Sequence, residues 1–203
     1  MALVNVASKA TDTVDSDISF IGVNGDGETK RFTLPAVVGA IRSYVTVAPD
    51  GIADYTTIAA ALTAGHRYIS LKAGATYSGA ASITQDGVTI LGNGATWTER
   101  TAGHTFTISG KNVTIKDIKT AGVHDGTAAS MTAYSFYNVT GHNCKIVSPT
   151  FEHLQGYDIT FSGVVGGYVY DITSVNGGTD PGDNYRTRYR VYLNGGCDGV
   201  QIV

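Results

Sequence analysis

The chain has 203 residues, a formal net charge of −3 and 15% charged residues. This weak negative charge gives no electrostatic basis for binding nucleic acid or an anionic membrane surface. No apolar run approaches the ~20 residues of a membrane-spanning helix, so we expect neither nucleic acid as a partner nor membrane insertion.

The first 44 residues form a segment distinct from the rest. A polar arm is followed by the strand pattern ISFIGV, a strong Asn-Gly-Asp-Gly turn signal, a returning strand from Thr29 to Leu34, and a short helix opened by Pro35. A hairpin plus one helix is too small to hold itself together. We therefore predict that residues 1–44 dock on a partner through three apolar anchors and one interfacial donor: Phe20, Phe32, Leu34 and Arg31.

Next in the chain comes a strand from Tyr44 to Val47, then a turn and the pattern of a short helix. We predict Asp54 as the N-cap of this helix and Gly65 as its end. Its narrow apolar face is expected to cover an open end of the core, as capping repeats do in solenoids. That face consists of Ile58, Ala61 and Leu62.

Residues 45–203 repeat one phrase, in which two β-prone segments flank a turn rich in Gly, Asp or Asn. The copies are ASITQDGVTILGNG, TFTISGKNVTIKDI, SFYNVTGHNCKIVSP, ITFSGVVGGYVYDIT and YRVYLNGGCDGVQIV. A repeat of roughly 20–45 residues without helical periodicity predicts a parallel β-helix. The last copy stops in mid-pattern, so we expect this region to be the first part of a longer solenoid. Ten apolar residues should point inward: Ile83, Ile90, Phe106, Ile108, Ile115, Phe136, Ile146, Ile159, Phe161 and Ile172.

Few residues suggest catalysis. Asp125 lies in the loop GVHDGTAAS, and Glu152 and His153 lie in TFEHL, a segment expected to fall between strands. Neither place shows a positioned acid and base, so ordinary loop polarity is the simpler interpretation and we assign no catalytic residue. The two cysteines have no partner at metal-ligand spacing, so no metal, disulfide or cofactor is expected.

A richer segment is GGTDPGDNYRTRYRVYLNGG. Arg186, Arg188 and Arg190 alternate along it, so they share one face of a strand. They are candidates for binding an anionic sugar or a phosphate. The alternative is a charged outer face, or Arg–Asp pairs between subunits.

Three segments resemble two known families. VTVAPDGIADYTTIAAALTAG and DGVTILGNGATW resemble the first coils of pectin-lyase-like right-handed β-helices. FIGVNGDGETKRFTLPAVVGAI resembles the virion-anchoring segments of bacteriophage tailspikes and tail fibres. Together these resemblances imply an all-β chain with a small hairpin-plus-helix anchor and a short capping helix, assembled in the host cytoplasm as a homotrimer and attached to a phage tail.

The expected function is that of a virion structural protein that meets host-surface polysaccharide. The motifs of the polysaccharide-cleaving relatives are not intact, since HDG at residues 124–126 and GHN at residues 141–143 are only fragments. Two alternatives stay open: a polysaccharide lyase or glycoside hydrolase, and a carbohydrate-binding adhesin without enzymatic activity.

Overall fold

The computed structural model divides the chain into two units, residues 1–43 and 44–203. It describes residues 19–23, 29–33, 44–98, 103–121, 135–152, 156–175 and 187–203. The first unit contains an antiparallel pair of strands, β1 (Ser19–Val23) and β2 (Thr29–Thr33). The backbone register pairs Phe20 with Phe32 and Ile21 with Arg31, so the predicted hairpin strands are confirmed. Leu34 and the helix predicted from Pro35 lie outside the described residues.

The second unit is built from parallel strands that form three ladders. Ladder A contains β3 (Val45–Val47), β4 (Tyr68–Leu71), the first halves of β7 (Thr89–Thr98) and β9 (Thr114–Ala121), β11 (Cys144–Val147), β14 (Val165–Tyr170) and β17 (Asp198–Ile202). Ladder B contains β5 (Thr76–Tyr77), the second halves of β7 and β9, β12 (Thr150–Glu152) and β15 (Thr173–Val175). Ladder C contains β6 (Ala81–Ile83), β8 (Phe106–Ile108), β10 (Ser135–Val139), β13 (Gly156–Ser162) and β16 (Thr187–Asn194).

From β4 onward the chain passes through the ladders in the order A, B, C. In each ladder, the strand of one pass lies beside the strand of the previous pass. We call one such pass a coil. The repeat was predicted as two strands around a turn, which matches only the passage from ladder C to ladder A. Ladder B was not predicted, because its strands are short and join those of ladder A through only one to four residues. Those junctions carry positive φ angles at Asn93, Gly94, Asp117, Ser148 and Asp171.

Equivalent apolar side chains stack along the inside of the coils. The parallel register places Ile90 beside Ile115 and Ile115 beside Ile146 in ladder A, and Ile83 beside Ile108 in ladder C. Nine of the ten side chains predicted to point inward are at most 1% exposed, and the tenth, Ile172, is partly buried against them. The predicted core is therefore confirmed.

Two glycines show how closely the coils approach at the passage from ladder C to ladder A. A Cβ atom on Gly141 would lie 1.9 Å from the carbonyl oxygen of Gly110, and a Cβ atom on Gly110 would lie 2.1 Å from the carbonyl oxygen of Gln85. Any other residue would push backbone against backbone. These glycines are thus required by contact between coils.

The helix α1 (Ile58–Thr63) buries Ile58, Ala61 and Leu62, as expected. Its N-cap is Thr57, whose side chain accepts a hydrogen bond from the backbone N–H of Ala60. The predicted N-cap, Asp54, is wrong. Its carboxylate instead accepts hydrogen bonds from the backbone N–H and the hydroxyl of Thr46 at 2.7 and 2.8 Å, which ties the turn to β3. Nowhere in the described ranges is there a helix of the length and apolarity that crossing a bilayer requires.

Replacing Ile115 with alanine should lower the free energy of unfolding by about 2–5 kcal/mol, because a fully buried side chain is lost between two neighbouring isoleucines. The matched variant Ile115→Val should cost only about 0.5–1.5 kcal/mol. Urea unfolding followed by circular dichroism measures both. Equal stability of the alanine variant and the wild type would contradict the inward stacking.

Candidate functional site

The residues proposed for chemistry divide between described and undescribed parts of the chain. Asp125, His153 and Arg186 lie outside the described residues, and the side chain of Arg188 in β16 is not described either. Glu152 was expected between strands, but it ends β12, which pairs with β9 and β15. Its carboxylate forms an ion pair with Lys119 at 3.0 Å, so it is engaged in a contact between coils.

The third arginine of the series, Arg190, forms a contact that the sequence did not reveal. Ile159 pairs with Val191 across β13 and β16 and packs inward, so Asp158 and Arg190 meet on the other side of the same two strands. Nη1 of Arg190 donates a hydrogen bond to Oδ2 of Asp158 at 2.8 Å. The side chain of Asp158 is fully buried, whereas that of Arg190 is 38% exposed.

Burial dominates the electrostatics of Asp158. Desolvation raises the pKa of its carboxyl group to about 6, and the neighbouring Arg190 only partly opposes this rise. Its second oxygen, Oδ1, is buried and has no hydrogen-bond partner among the described residues. An unsatisfied buried carboxylate oxygen is costly. The part of the pair that a ligand can reach is the guanidinium of Arg190.

Aromatic side chains accompany this pair. The rings of Tyr157 and Tyr192 are stacked, with centroids 5.0 Å apart and an interplanar angle of 13°. Tyr192 is two residues beyond Arg190 and so lies on the same outward face of ladder C. Both tyrosines are half-buried. The carboxylate, the guanidinium and the tyrosine pair thus share one region of that ladder.

A chain of polar contacts continues along ladder C toward the earlier coils. The hydroxyls of Ser135 and Thr160 are hydrogen-bonded to each other. The backbone N–H of Ser135 donates to Nδ1 of His104 at 2.9 Å. Burial lowers the pKa of His104, and an accepting Nδ1 requires the neutral ring. We call the group formed by Ser135, Tyr157, Asp158, Thr160, Arg190 and Tyr192 the Asp158 site.

Sequence reasoning singled out Arg190 as a candidate for binding an anionic group, and it missed the partner of this arginine, Asp158. A signal for Asp158 was present in GYDITFS, where a carboxylate interrupts a strongly β-prone segment. Such a residue is costly in a strand unless it has a partner. Its partner is 32 positions away, and the pattern of the sequence did not fix which coil supplies it.

The cysteines have structural positions. Cys144 is buried in the inward stack of ladder A, and burial raises the pKa of its thiol. The Sγ atom of Cys197 contacts the carbonyl oxygen of Phe161 at 3.4 Å. Both are free thiols. Within the described ranges, no group of three or more His, Cys, Asp or Glu side chains is arranged to hold a metal ion.

Comparison with known proteins identifies no relative: the chain matches no protein-family model, no curated protein and no solved structure.

The stability of the protein should report the titration of Asp158. Its pKa is higher in the folded chain, about 6, than the ordinary value of 3.8. The protonated carboxyl group of Asp158 therefore makes its full contribution to the free energy of unfolding below the ordinary pKa. This contribution is lost as the pH rises through about 6. Relative to Asp158→Asn, the wild type should lose stability between about pH 4 and pH 6.

Urea unfolding at a series of pH values measures this difference. The control is Asp198→Asn, which changes an exposed aspartate and should run parallel to the wild type. If the free energy of unfolding of Asp158→Asn also changes with pH in parallel with that of the wild type, the pKa of Asp158 is not raised in the folded chain.

Proposed function

We propose that this chain is a bacteriophage tail fibre or tailspike protein in which a right-handed parallel β-helix of the pectin-lyase type recognises host-surface polysaccharide. The fold supports this proposal, because the chain passes through three parallel ladders in a constant order. Connections between parallel strands of one sheet are right-handed in nearly all proteins. That rule and the resemblance of the first coils support the right-handed form.

The observation that carries the binding function is the partly exposed guanidinium of Arg190, which the buried carboxylate of Asp158 holds on the outward face of ladder C. This guanidinium can donate hydrogen bonds to sugar oxygens or to an anionic group of the sugar. Tyr157 and Tyr192 supply aromatic surface with polar tips, which suits the apolar face of a sugar ring. A few convergent polar groups beside aromatic side chains are typical of small-ligand sites.

The enzymatic alternative needs more than this site offers. A glycoside hydrolase of the usual kind uses two carboxyl groups about 5–10 Å apart. Asp158 lies on ladder C, whereas the other described candidate, Glu152, lies on ladder B in an ion pair with Lys119. A carboxyl group with a pKa of about 6 is suited to proton transfer, so an activity assay belongs with every binding experiment.

Binding should depend on Asp158. A panel of purified bacterial capsular polysaccharides and lipopolysaccharides, immobilised for biolayer interferometry, should include at least one that the wild type binds. Asp158→Asn should weaken that binding by about tenfold or more, because the ion pair that positions the guanidinium of Arg190 is lost. Asp198→Asn should bind as the wild type does.

Two further measurements separate the alternatives. Tyr192→Phe, which keeps the stacked ring, should retain binding, whereas Tyr192→Ala should lose it. Release of oligosaccharide from the bound polymer, detected as new reducing ends or unsaturated products, and its loss in Asp158→Asn would establish the enzymatic alternative. Unchanged binding in both Asp158→Asn and Tyr192→Ala would refute the proposed site.

The first unit is proposed as the attachment to the phage tail, and the complete protein as a homotrimer in the virion. The strands β1 and β2 pair only with each other within the described ranges. An isolated two-stranded hairpin is at best marginally stable in water. A partner surface, or the symmetry mates of a trimer, would supply the missing contacts.

Deleting residues 1–44 should abolish incorporation into phage particles and leave the second unit folded, because the two units have separate internal contacts. Immunoblots of purified particles measure incorporation, and sedimentation measures the oligomeric state of the full and deleted chains. The double variant Phe20→Ala/Phe32→Ala should show the same defect as the deletion. Particles that carry the deleted protein at normal copy number would refute the attachment role.

A further inference from the structure

A second surface with ligand-binding character lies on the outward face of ladder A. The inward residues of this ladder are fully buried, so their neighbours along the strands point away from the core. The parallel register sets Lys145 between Thr114 and Tyr168, and Val147 between Lys116 and Tyr170. These residues form a block of three rows and two columns, which we call the Lys–Tyr patch: Thr114, Lys116, Lys145, Val147, Tyr168 and Tyr170.

The aromatic side chains of this patch are exposed. Tyr168 is 41% exposed and Tyr170 is 56% exposed. Both are on β14, and both lysines are exposed as well. Nζ of Lys145 lies 5.6 Å from the centroid of the Tyr168 ring, a cation–π contact. Aromatic residues are enriched at interaction surfaces.

The six residues of the patch carry two positive charges and no negative charge. Within the described residues, neither Lys116 nor Lys145 forms an ion pair. The nearest acidic residues along the strands are Asp117 and Asp171, which lie at the positive-φ junctions with ladder B. The carboxylate of Asp171 already accepts a hydrogen bond from the hydroxyl of Ser148 at 3.2 Å.

The dimensions follow from β-sheet geometry. Neighbouring strands are about 4.8 Å apart and alternate residues of one strand about 6.6 Å apart. The two lysines occupy diagonal positions on β9 and β11, and the two tyrosines lie side by side on β14. Positive groups thus stand next to flat aromatic surface on a firmly hydrogen-bonded sheet.

We propose that the Lys–Tyr patch binds an acidic polysaccharide, with Lys116 and Lys145 contacting its carboxylate groups and Tyr168 and Tyr170 packing against its sugar rings. This surface is separate from the Asp158 site, because it lies on ladder A and shares no residue with ladder C. The proposal does not depend on the function assigned to Asp158.

Other occupants fit the patch less well. A neutral glycan would leave both lysines without a counter-charge. A second copy of the same face would bring lysines against lysines, and like charges in contact oppose association. Nucleic acid is usually held by many phosphate contacts along a basic surface, whereas this patch offers two cations in a chain of net charge −3.

The test uses the full chain and two uronic-acid polymers, alginate and hyaluronate, with neutral dextran and single-stranded DNA for comparison. Biolayer interferometry at low salt should show binding to at least one of the two acidic polymers and weaker binding to dextran and to DNA. Lys145→Ala and Tyr170→Ala should each weaken binding to the acidic polymer by about tenfold or more. Lys145→Arg, which keeps the positive charge, should retain most of the binding to the acidic polymer.

Lys111→Ala is the matched control, because Lys111 is an exposed lysine in the turn between ladders C and A. It should bind as the wild type does. The proposal is overturned if neither acidic polymer binds, if dextran or DNA binds as tightly, or if Lys111→Ala weakens binding as much as Lys145→Ala. Loss of binding in Asp158→Asn with no effect of Lys145→Ala would move the ligand to ladder C and equally overturn it.

Discussion

Each coil of the second unit buries its apolar side chains against equivalent side chains of the preceding coil, because the ladders are parallel and in register. A residue inside one coil therefore needs a neighbour of compatible size at the matching place in the next. The isoleucines of ladder A meet this condition in three successive coils at Ile90, Ile115 and Ile146. The condition reaches the backbone too, since the carbonyl of Gly110 occupies the space where a side chain on Gly141 would begin.

The same register builds the outer surfaces. Side chains that are distant in sequence become lateral neighbours when they occupy matching places in adjacent coils. Asp158 meets Arg190 in this way, and Lys145 meets Tyr168. Stacked parallel ladders of this kind offer long faces on which a charged pair or an aromatic row can arise from single residues of successive coils. Both proposed ligand surfaces are of this type, one on ladder C and one on ladder A.

At Asp158, the stability of the fold and the proposed binding of a ligand favour different residues. A buried carboxylate is expensive, and its ion pair with the partly exposed Arg190 satisfies only one of its two oxygens within the described residues. An apolar residue at the same place would fold at lower cost. A strained electrostatic arrangement of this kind is common where a protein binds or transforms a ligand.

The sequence by itself determined the parallel repeating coils, the inward side chains and the apolar face of α1. These follow from local alternation and turn chemistry, which are visible within one repeat. Only the tertiary structure decided that a third ladder exists, that Thr57 rather than Asp54 caps α1, and that Asp158 pairs with Arg190. The physical reason is that loops of unequal length separate the coils, so a local pattern shows which way a side chain points but not which residue of the next coil it meets.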